Sequence, residues 1–263
     1  MRSFFRTYLK TLIFFALIGL VGGFFTGIYL LDSYPDDIKA QIIKEIEATV
    51  PIEIDINLIM GLTTALQSAF YGFLLGAIGI ILGKRVGLWK DERAIKLRPL
   101  FVTFIASAVF GLAMILPDIY FFGRFSDAIM ESYATKPTIP YILASVTYGA
   151  IIEEVMLRLF TLSLVAFVLH LIFEKRRDEV SESILILANV ISSLLFAIGH
   201  LPATFLILGS SPIIIFRCIL LNGLGGLIFG YLYRKYGLRY AMICHGGCHI
   251  VSKVIWLLFI PTI

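Results

Sequence analysis

Seven long apolar runs, separated by short charged segments, constrain this chain more than any other feature. Roughly 20 apolar residues cross a bilayer as a helix, and a helix satisfies all of its own backbone hydrogen bonds there. The sequence therefore predicts an all-α polytopic transmembrane helical bundle. The predicted spans are residues 11–31, 57–82, 99–117, 139–173, 184–205, 212–233 and 240–260.

The run 139–173 is too long for one upright span, since its 35 residues would extend about 52 Å as an α-helix. Either this helix protrudes from the membrane or it contains a break, so seven to eight spans are expected. We divide the chain into an N-terminal three-span region, residues 1–138, and a candidate catalytic core, residues 139–263, within one membrane domain.

The composition excludes several classes of protein. Charged residues make up 15% of the chain and apolar residues 59%, whereas soluble domains carry about 25% charged residues. A nucleic-acid-binding module, a disordered chain and an ordinary soluble enzyme are excluded. The three cysteines, Cys218, Cys244 and Cys248, lie in or beside apolar runs, which predicts buried thiols and no disulfide framework.

Charge alternates between successive connecting segments. Residues 32–55 contain seven acidic residues and two lysines, and residues 84–98 contain six basic and two acidic residues. The positive-inside rule places the N-terminus inside, in what we expect to be a bacterial or archaeal cytoplasmic membrane. The acidic segment 32–55 also holds apolar residues at helical spacing, which predicts an external interfacial helix.

Ionisable side chains within a span are costly and are functional candidates by default. Glu154 and Arg158 are four residues apart, so they share a helix face and can form an ion pair. Glu153 lies about 100° around the helix and is left as a candidate general base. The structural alternative is a Glu-Arg-Glu triad that only holds helices together.

Histidines on two later spans complete the candidate site. His245 and His249 are also four residues apart, and His200 lies on another span, so we expect a three-helix site near the cytoplasmic face. These imidazoles suit either a metal or a reacting oxygen. We expect Arg217 and Lys253 to snorkel, with an anchor for an anionic part of the substrate as the alternative role of Lys253.

Three motifs resemble the CAAX-protease and bacteriocin-processing (Abi) family of intramembrane endopeptidases. They are E-E-V-M-L-R at 153–158, F-A-I-G-H at 196–200 and H-G-G-C-H at 245–249. The resemblance covers residues 140–252, including a Gly-rich stretch at 225–236. The chain departs from the family pattern at its last position, where His249 replaces Asn or Asp.

The resemblance implies hydrolysis of a peptide bond in a membrane-associated substrate, which is prenylated in eukaryotic relatives. It implies that Glu153 and His200 activate a water and that His245 and His249 stabilise the oxyanion. Glu154 and Arg158 would support them. Because imidazole binds zinc better than an amide does, His249 moves the expectation toward a metal, but zinc and a metal-free site both stay open.

The candidate metal ligands form a set of one carboxylate and three imidazoles: Glu153, His200, His245 and His249. Besides the bilayer, the expected partner is a membrane-associated or lipidated peptide. One rival is a noncatalytic scaffold or bacteriocin-immunity protein that binds a partner in the same cavity. Another is a transporter that uses the buried charges.

Overall fold

The computed structural model describes residues 2–49, 55–91 and 94–260. Within these residues every regular element is helical, and seven helices are long and apolar enough to cross a membrane. The prediction of an all-α polytopic bundle with seven spans is confirmed. In order, the first to seventh spans are Ser3–Ser33, Ile56–Arg85, Leu97–Arg124, Ile139–Phe173, Glu182–Leu208, Pro212–Tyr236 and Leu238–Phe259.

Two short helices lie outside the spans. The helix Asp36–Thr49 falls in the segment predicted to be interfacial and carries two acidic residues in its first turn, where they complement the helix dipole. The helix Asp127–Glu131 lies between the third and fourth spans. Ile129 from this helix packs with Phe122 and Ile214, so residues 122–138 cover one end of the bundle.

Small residues let the first two spans approach closely. A Cβ added at Gly23 would lie 2.5 Å from the carbonyl oxygen of Thr64, and one added at Gly27 would lie 2.2 Å from that of Met60. These glycines face another span of the same chain. The small residues at four-residue spacing therefore pack inside the bundle, as small-residue patterns do in membranes.

The fourth span is central and packs against the first, second, fifth, sixth and seventh spans. It contains neither a break nor 35 residues of α-helix. Instead, residues 145–153 and 155–162 are wound as π-helix, between α-helical segments at 139–144 and 163–173. Because π winding places more residues in each turn, this span is shorter than an α-helix with the same number of residues. π-Helix is rare and occurs often at functional sites.

The fifth span bends at His200. Its first helix ends at Gly199 and its second begins at Leu201, with Pro202 in the first turn. Proline has no backbone N–H to donate and is tolerated at such a position. The bend places the His200 side chain at the junction between two helices.

An ion pair between a buried acid and a partly exposed arginine joins the third and sixth spans, at the end covered by residues 122–138. Asp118 has no exposed surface, accepts a 2.8 Å hydrogen bond from the Tyr133 hydroxyl and pairs with the Arg217 guanidinium. The expectation that Arg217 snorkels is therefore wrong, since its charge is neutralised by Asp118. Lys253 is 4% exposed, so its ammonium is buried and the same expectation is wrong for it.

Candidate active site

The first part of the site is the predicted ion pair on the fourth span. The Arg158 Nε lies 3.3 Å from the Glu154 Oε2, and the two side chains are 1% and 0% exposed. The pairing expected from their four-residue spacing is therefore present. The Glu153 side chain is 20% exposed. Glu153 is the more accessible of the two acids.

Two aromatic rings from neighbouring spans hold the guanidinium of Arg158. Its Cζ lies 4.4 Å from the ring centroid of Phe196 and 5.3 Å from that of Phe229. Among the described residues, its Nη1 and Nη2 have no hydrogen-bond partner. The cation–π contacts therefore supplement the ion pair of a guanidinium that is almost fully buried.

His245 is fixed by the same carboxylate. Its Nδ1 lies 2.9 Å from the Glu154 Oε1, and its ring stacks on Phe229 with centroids 4.4 Å apart and planes 17° apart. An ionised carboxylate only accepts hydrogen bonds, so Nδ1 donates. In a neutral imidazole the Nε2 is then an acceptor. This Nε2 lies 4.0 Å from the Glu153 Oε2.

His249 stacks beside His245 and has the opposite tautomer. The ring centroids are 5.0 Å apart, and the Lys253 ammonium lies 3.4 Å from the His249 Nδ1. An ammonium only donates, so this Nδ1 accepts and Nε2 carries the hydrogen. The two neighbouring rings therefore offer one acceptor and one donor.

Gly149 leaves open the space that both rings face. A Cβ at this position would lie 3.6 Å from the His249 Nε2 and 3.8 Å from the His245 Nε2, with no nearer atom. Any side chain here would extend toward the two nitrogens. The glycine on the π-wound part of the fourth span thus keeps room beside the acceptor and the donor.

His200 joins this group less directly. Its Nδ1 hydrogen-bonds to the Phe196 carbonyl oxygen at 2.8 Å, and its ring packs edge-on against the Phe196 ring. No hydrogen bond or ion pair joins His200 to Glu153 in the part of the chain that the structure describes. Of the six predicted site residues, five are therefore linked by direct contacts, and His200 adjoins them through Phe196.

The predicted metal ligands do not form a metal-binding group as they are arranged here. Among the described residues, no three His, Cys, Asp or Glu side chains are placed to hold an ion. Two ligand atoms that bind a tetrahedral zinc at about 2.1 Å lie about 3.4 Å from each other. The 4.0 Å between Glu153 and His245 therefore does not fit such a site.

The sequence reasoning missed two aromatic residues of this region. Phe229 lies in the Gly-rich stretch 225–236, and an aromatic ring among small residues was the available signal. Tyr141 carries the Lys253 ammonium over its ring at 4.0 Å, and nothing in the local pattern marks it. The cysteines were predicted correctly, because all three are free and buried.

Residues 134–251 match a family model described as type II CAAX prenyl endopeptidase Rce1-like. This segment belongs to the CAAX-protease family. No curated protein and no solved structure matches the chain. The matched segment of the CAAX-protease domain contains all three motifs and ends two residues before Lys253. It agrees with the range 140–252 on which the resemblance rested.

Proposed function

We propose that this membrane protein is an intramembrane endopeptidase in which Glu153 activates the attacking water. The observation that carries the proposal is the pair formed by the Glu153 Oε2 and the His245 Nε2, 4.0 Å apart. Both atoms are acceptors, and their separation suits one water that donates a hydrogen to each. A lone pair of that water is then directed toward a substrate carbonyl.

The neighbouring donor suits the developing negative charge. As the water attacks, its proton passes to the Glu153 carboxylate and the carbonyl oxygen becomes an oxyanion. The His249 Nε2–H is placed to hydrogen-bond this oxyanion, and one such preorganised donor contributes about 10²–10³ in rate. When the C–N bond breaks, the proton on Glu153 passes to the leaving amine.

These tautomers support a different division of roles from the one that the resemblance implies. Glu154 orients His245 as an acceptor beside the water, while His249 alone supplies the oxyanion donor. Arg158 pairs with Glu154 and so helps to hold the carboxylate that orients His245. His200 stays a proposed site residue that packs against Phe196.

A cavity supports access from the side with the basic segments. It has a volume of about 520 Å³ and is lined by Tyr8, Trp89, Leu238 and Met242, among others. Met242 precedes His245 by three residues, so the cavity reaches within one helical turn of the site. With the N-terminus inside, a membrane-associated peptide would enter from the cytoplasmic face of a bacterial or archaeal membrane.

The test is cleavage of prenylated and unprenylated peptides by the purified protein in detergent micelles. General-base catalysis contributes about 10²–10⁴ in rate, so Glu153→Gln should lower kcat/KM by at least 100-fold. Glu131→Gln, an exposed acid on the short helix Asp127–Glu131, is the matched control and should retain activity.

The same assay separates the alternatives. Full cleavage by Glu153→Gln would contradict the proposed role of this carboxylate. A protein that binds peptides without cleaving them would support the scaffold or immunity role. Loss of activity with a chelator, and its return with zinc, would show that a metal is part of the reaction.

A further inference from the structure

Lys253 is a buried cation that contacts no acidic side chain among the described residues. Its side chain is 4% exposed, and no carboxylate among the described residues forms an ion pair with its ammonium. Its contacts are the His249 ring nitrogen at 3.4 Å and the face of the Tyr141 ring at 4.0 Å. By contrast, Arg158, whose side chain is 1% exposed, and Arg217, whose side chain is 19% exposed, each pair with a carboxylate.

An ammonium without a counter-ion in a span is costly, which makes this side chain a candidate for a functional role. Neither contact neutralises the ammonium, because a neutral imidazole and an aromatic ring supply only partial charges. The carboxylate that would complete this site is therefore one that the described residues do not supply.

Lys253 and the proposed catalytic groups lie along the same contact between two spans. The fourth and seventh spans pack together, with Gly149 beside His249 and Tyr141 beside Lys253. A substrate segment along this seam would pass from the catalytic groups to the ammonium.

The distance along the seam sets the length of that segment. The ammonium contacts one nitrogen of His249, and the other nitrogen is the proposed oxyanion donor. Allowing for the ring and for one hydrogen bond of ~2.9 Å, the ammonium lies within roughly 9 Å of the scissile carbonyl oxygen. Two or three extended residues span this length at about 3.3 Å each.

We propose that Lys253 is a specificity-determining residue that binds a carboxylate of the substrate two or three residues beyond the scissile bond. The proposal rests on the proposed function, since it takes His249 as the oxyanion donor. The carboxylate is either the C-terminus of the substrate or an Asp or Glu side chain at that distance.

The experiment compares three fluorogenic prenylated peptides with the same sequence up to the scissile bond. The first ends three residues later in a free carboxylate, the second ends there in an amide, and the third is the amide with Asp as its third residue. A charge-assisted hydrogen bond in a buried site corresponds to about 10- to 100-fold in affinity. The wild-type protein should therefore prefer the first or third peptide to the second by about this factor in kcat/KM.

Variants at position 253 connect the preference to the ammonium. In Lys253→Met the ratio of kcat/KM between acid and amide peptides should fall toward one, and Lys253→Arg should keep part of it. Lys175→Met, in the exposed charged turn, is the matched control and should keep the ratio of the wild type. Because Met removes an uncompensated charge, the thermal midpoint of Lys253→Met should equal or exceed that of the wild type.

Two outcomes would overturn the proposal: equal cleavage of acid and amide peptides by the wild type, or the same preference in Lys253→Met. A lower thermal midpoint with the preference retained would show instead a purely structural role. If no peptide is cleaved, the proposed function fails separately. The role of Lys253 is then tested alone by the binding affinity of the Glu153→Gln variant for the three uncleaved peptides, with the same ratio expected between acid and amide peptides.

Discussion

Replacing Arg158 with Met tests how much the buried ion pair between Glu154 and Arg158 contributes to the stability of the protein. The Arg158→Met variant keeps an unbranched apolar side chain between Phe196 and Phe229, so the packing volume changes little. It leaves the Glu154 carboxylate buried with His245 as its remaining partner. Because Glu154 has no exposed surface, the carboxylate cannot regain its lost interaction from water.

The expected cost follows from the burial of both partners. Breaking a buried ion pair by removing one partner typically costs about 3–5 kcal/mol, whereas replacing both partners with neutral groups is often neutral. Arg158→Met should therefore lower the thermal midpoint by roughly 10 °C for a chain of this size. The double variant Glu154→Gln with Arg158→Met should recover more than half of that loss, without recovering activity.

The three buried free cysteines provide the assay. A thiol-reactive fluorophore added to protein in detergent micelles reports unfolding as Cys218, Cys244 and Cys248 become accessible during heating. Equal thermal midpoints of Arg158→Met and the wild type would contradict the expected cost of the unpaired carboxylate. A double variant no more stable than Arg158→Met would also contradict it, since the loss of stability would then come from changed packing and not from the unpaired carboxylate.

Three further predictions follow from local geometry. Gly149→Ala places a methyl group 3.6 Å from the His249 Nε2 without a backbone clash, so peptide cleavage should fall by at least tenfold while the thermal midpoint stays within 2–3 °C of the wild type. Gly27→Ala would put its Cβ 2.2 Å from the Met60 carbonyl oxygen and should lower the midpoint by several degrees, whereas Gly199→Ala, which meets no atom within 4 Å, should not. Hydrogen bonds from Ser181 and Arg177 lower the pKa of Glu174 from 4.5 to about 2; a lowered folded-state pKa means that this carboxylate stabilises the turn fully above pH 4.5 and progressively less as the pH falls toward 2. A spin label at Asp178→Cys should become more mobile over that range, and an additional Glu174→Gln substitution should remove the pH dependence.

The number and order of the spans were predictable because a bilayer imposes one length and one polarity on every helix that crosses it. The ends of the spans were less predictable, since amphipathic turns extend several helices beyond their apolar runs. The winding of the fourth span was not predictable from periodicity. Its length showed only that 35 residues of upright α-helix do not fit, and the structure has two π-helical segments in this span instead of a break.

The candidate site was predictable where a contact lies within one helix, as for Glu154 and Arg158. Contacts between spans depend on how helices rotate against each other, which a single sequence does not record. This is why the stacking of His245 on Phe229 and the contact between Lys253 and Tyr141 went unpredicted. The same limit explains why the ion pair of Arg217 was not predicted, since its partner Asp118 lies 99 residues earlier in the chain.

The opposite tautomers of His245 and His249 provide a physical reason for a histidine at the last motif position. An amide carries its donor and its acceptor on one carbon, whereas the two imidazole nitrogens flank one ring carbon and point outward in more widely diverging directions. His249 therefore receives the Lys253 ammonium on one side and presents a hydrogen toward Gly149 on the other. An Asn at this position is too short to reach both, so His249→Asn should weaken cleavage and reduce any preference for acid peptides. Cleavage and preference equal to those of the wild type would show that the imidazole does not link Lys253 to the reaction centre.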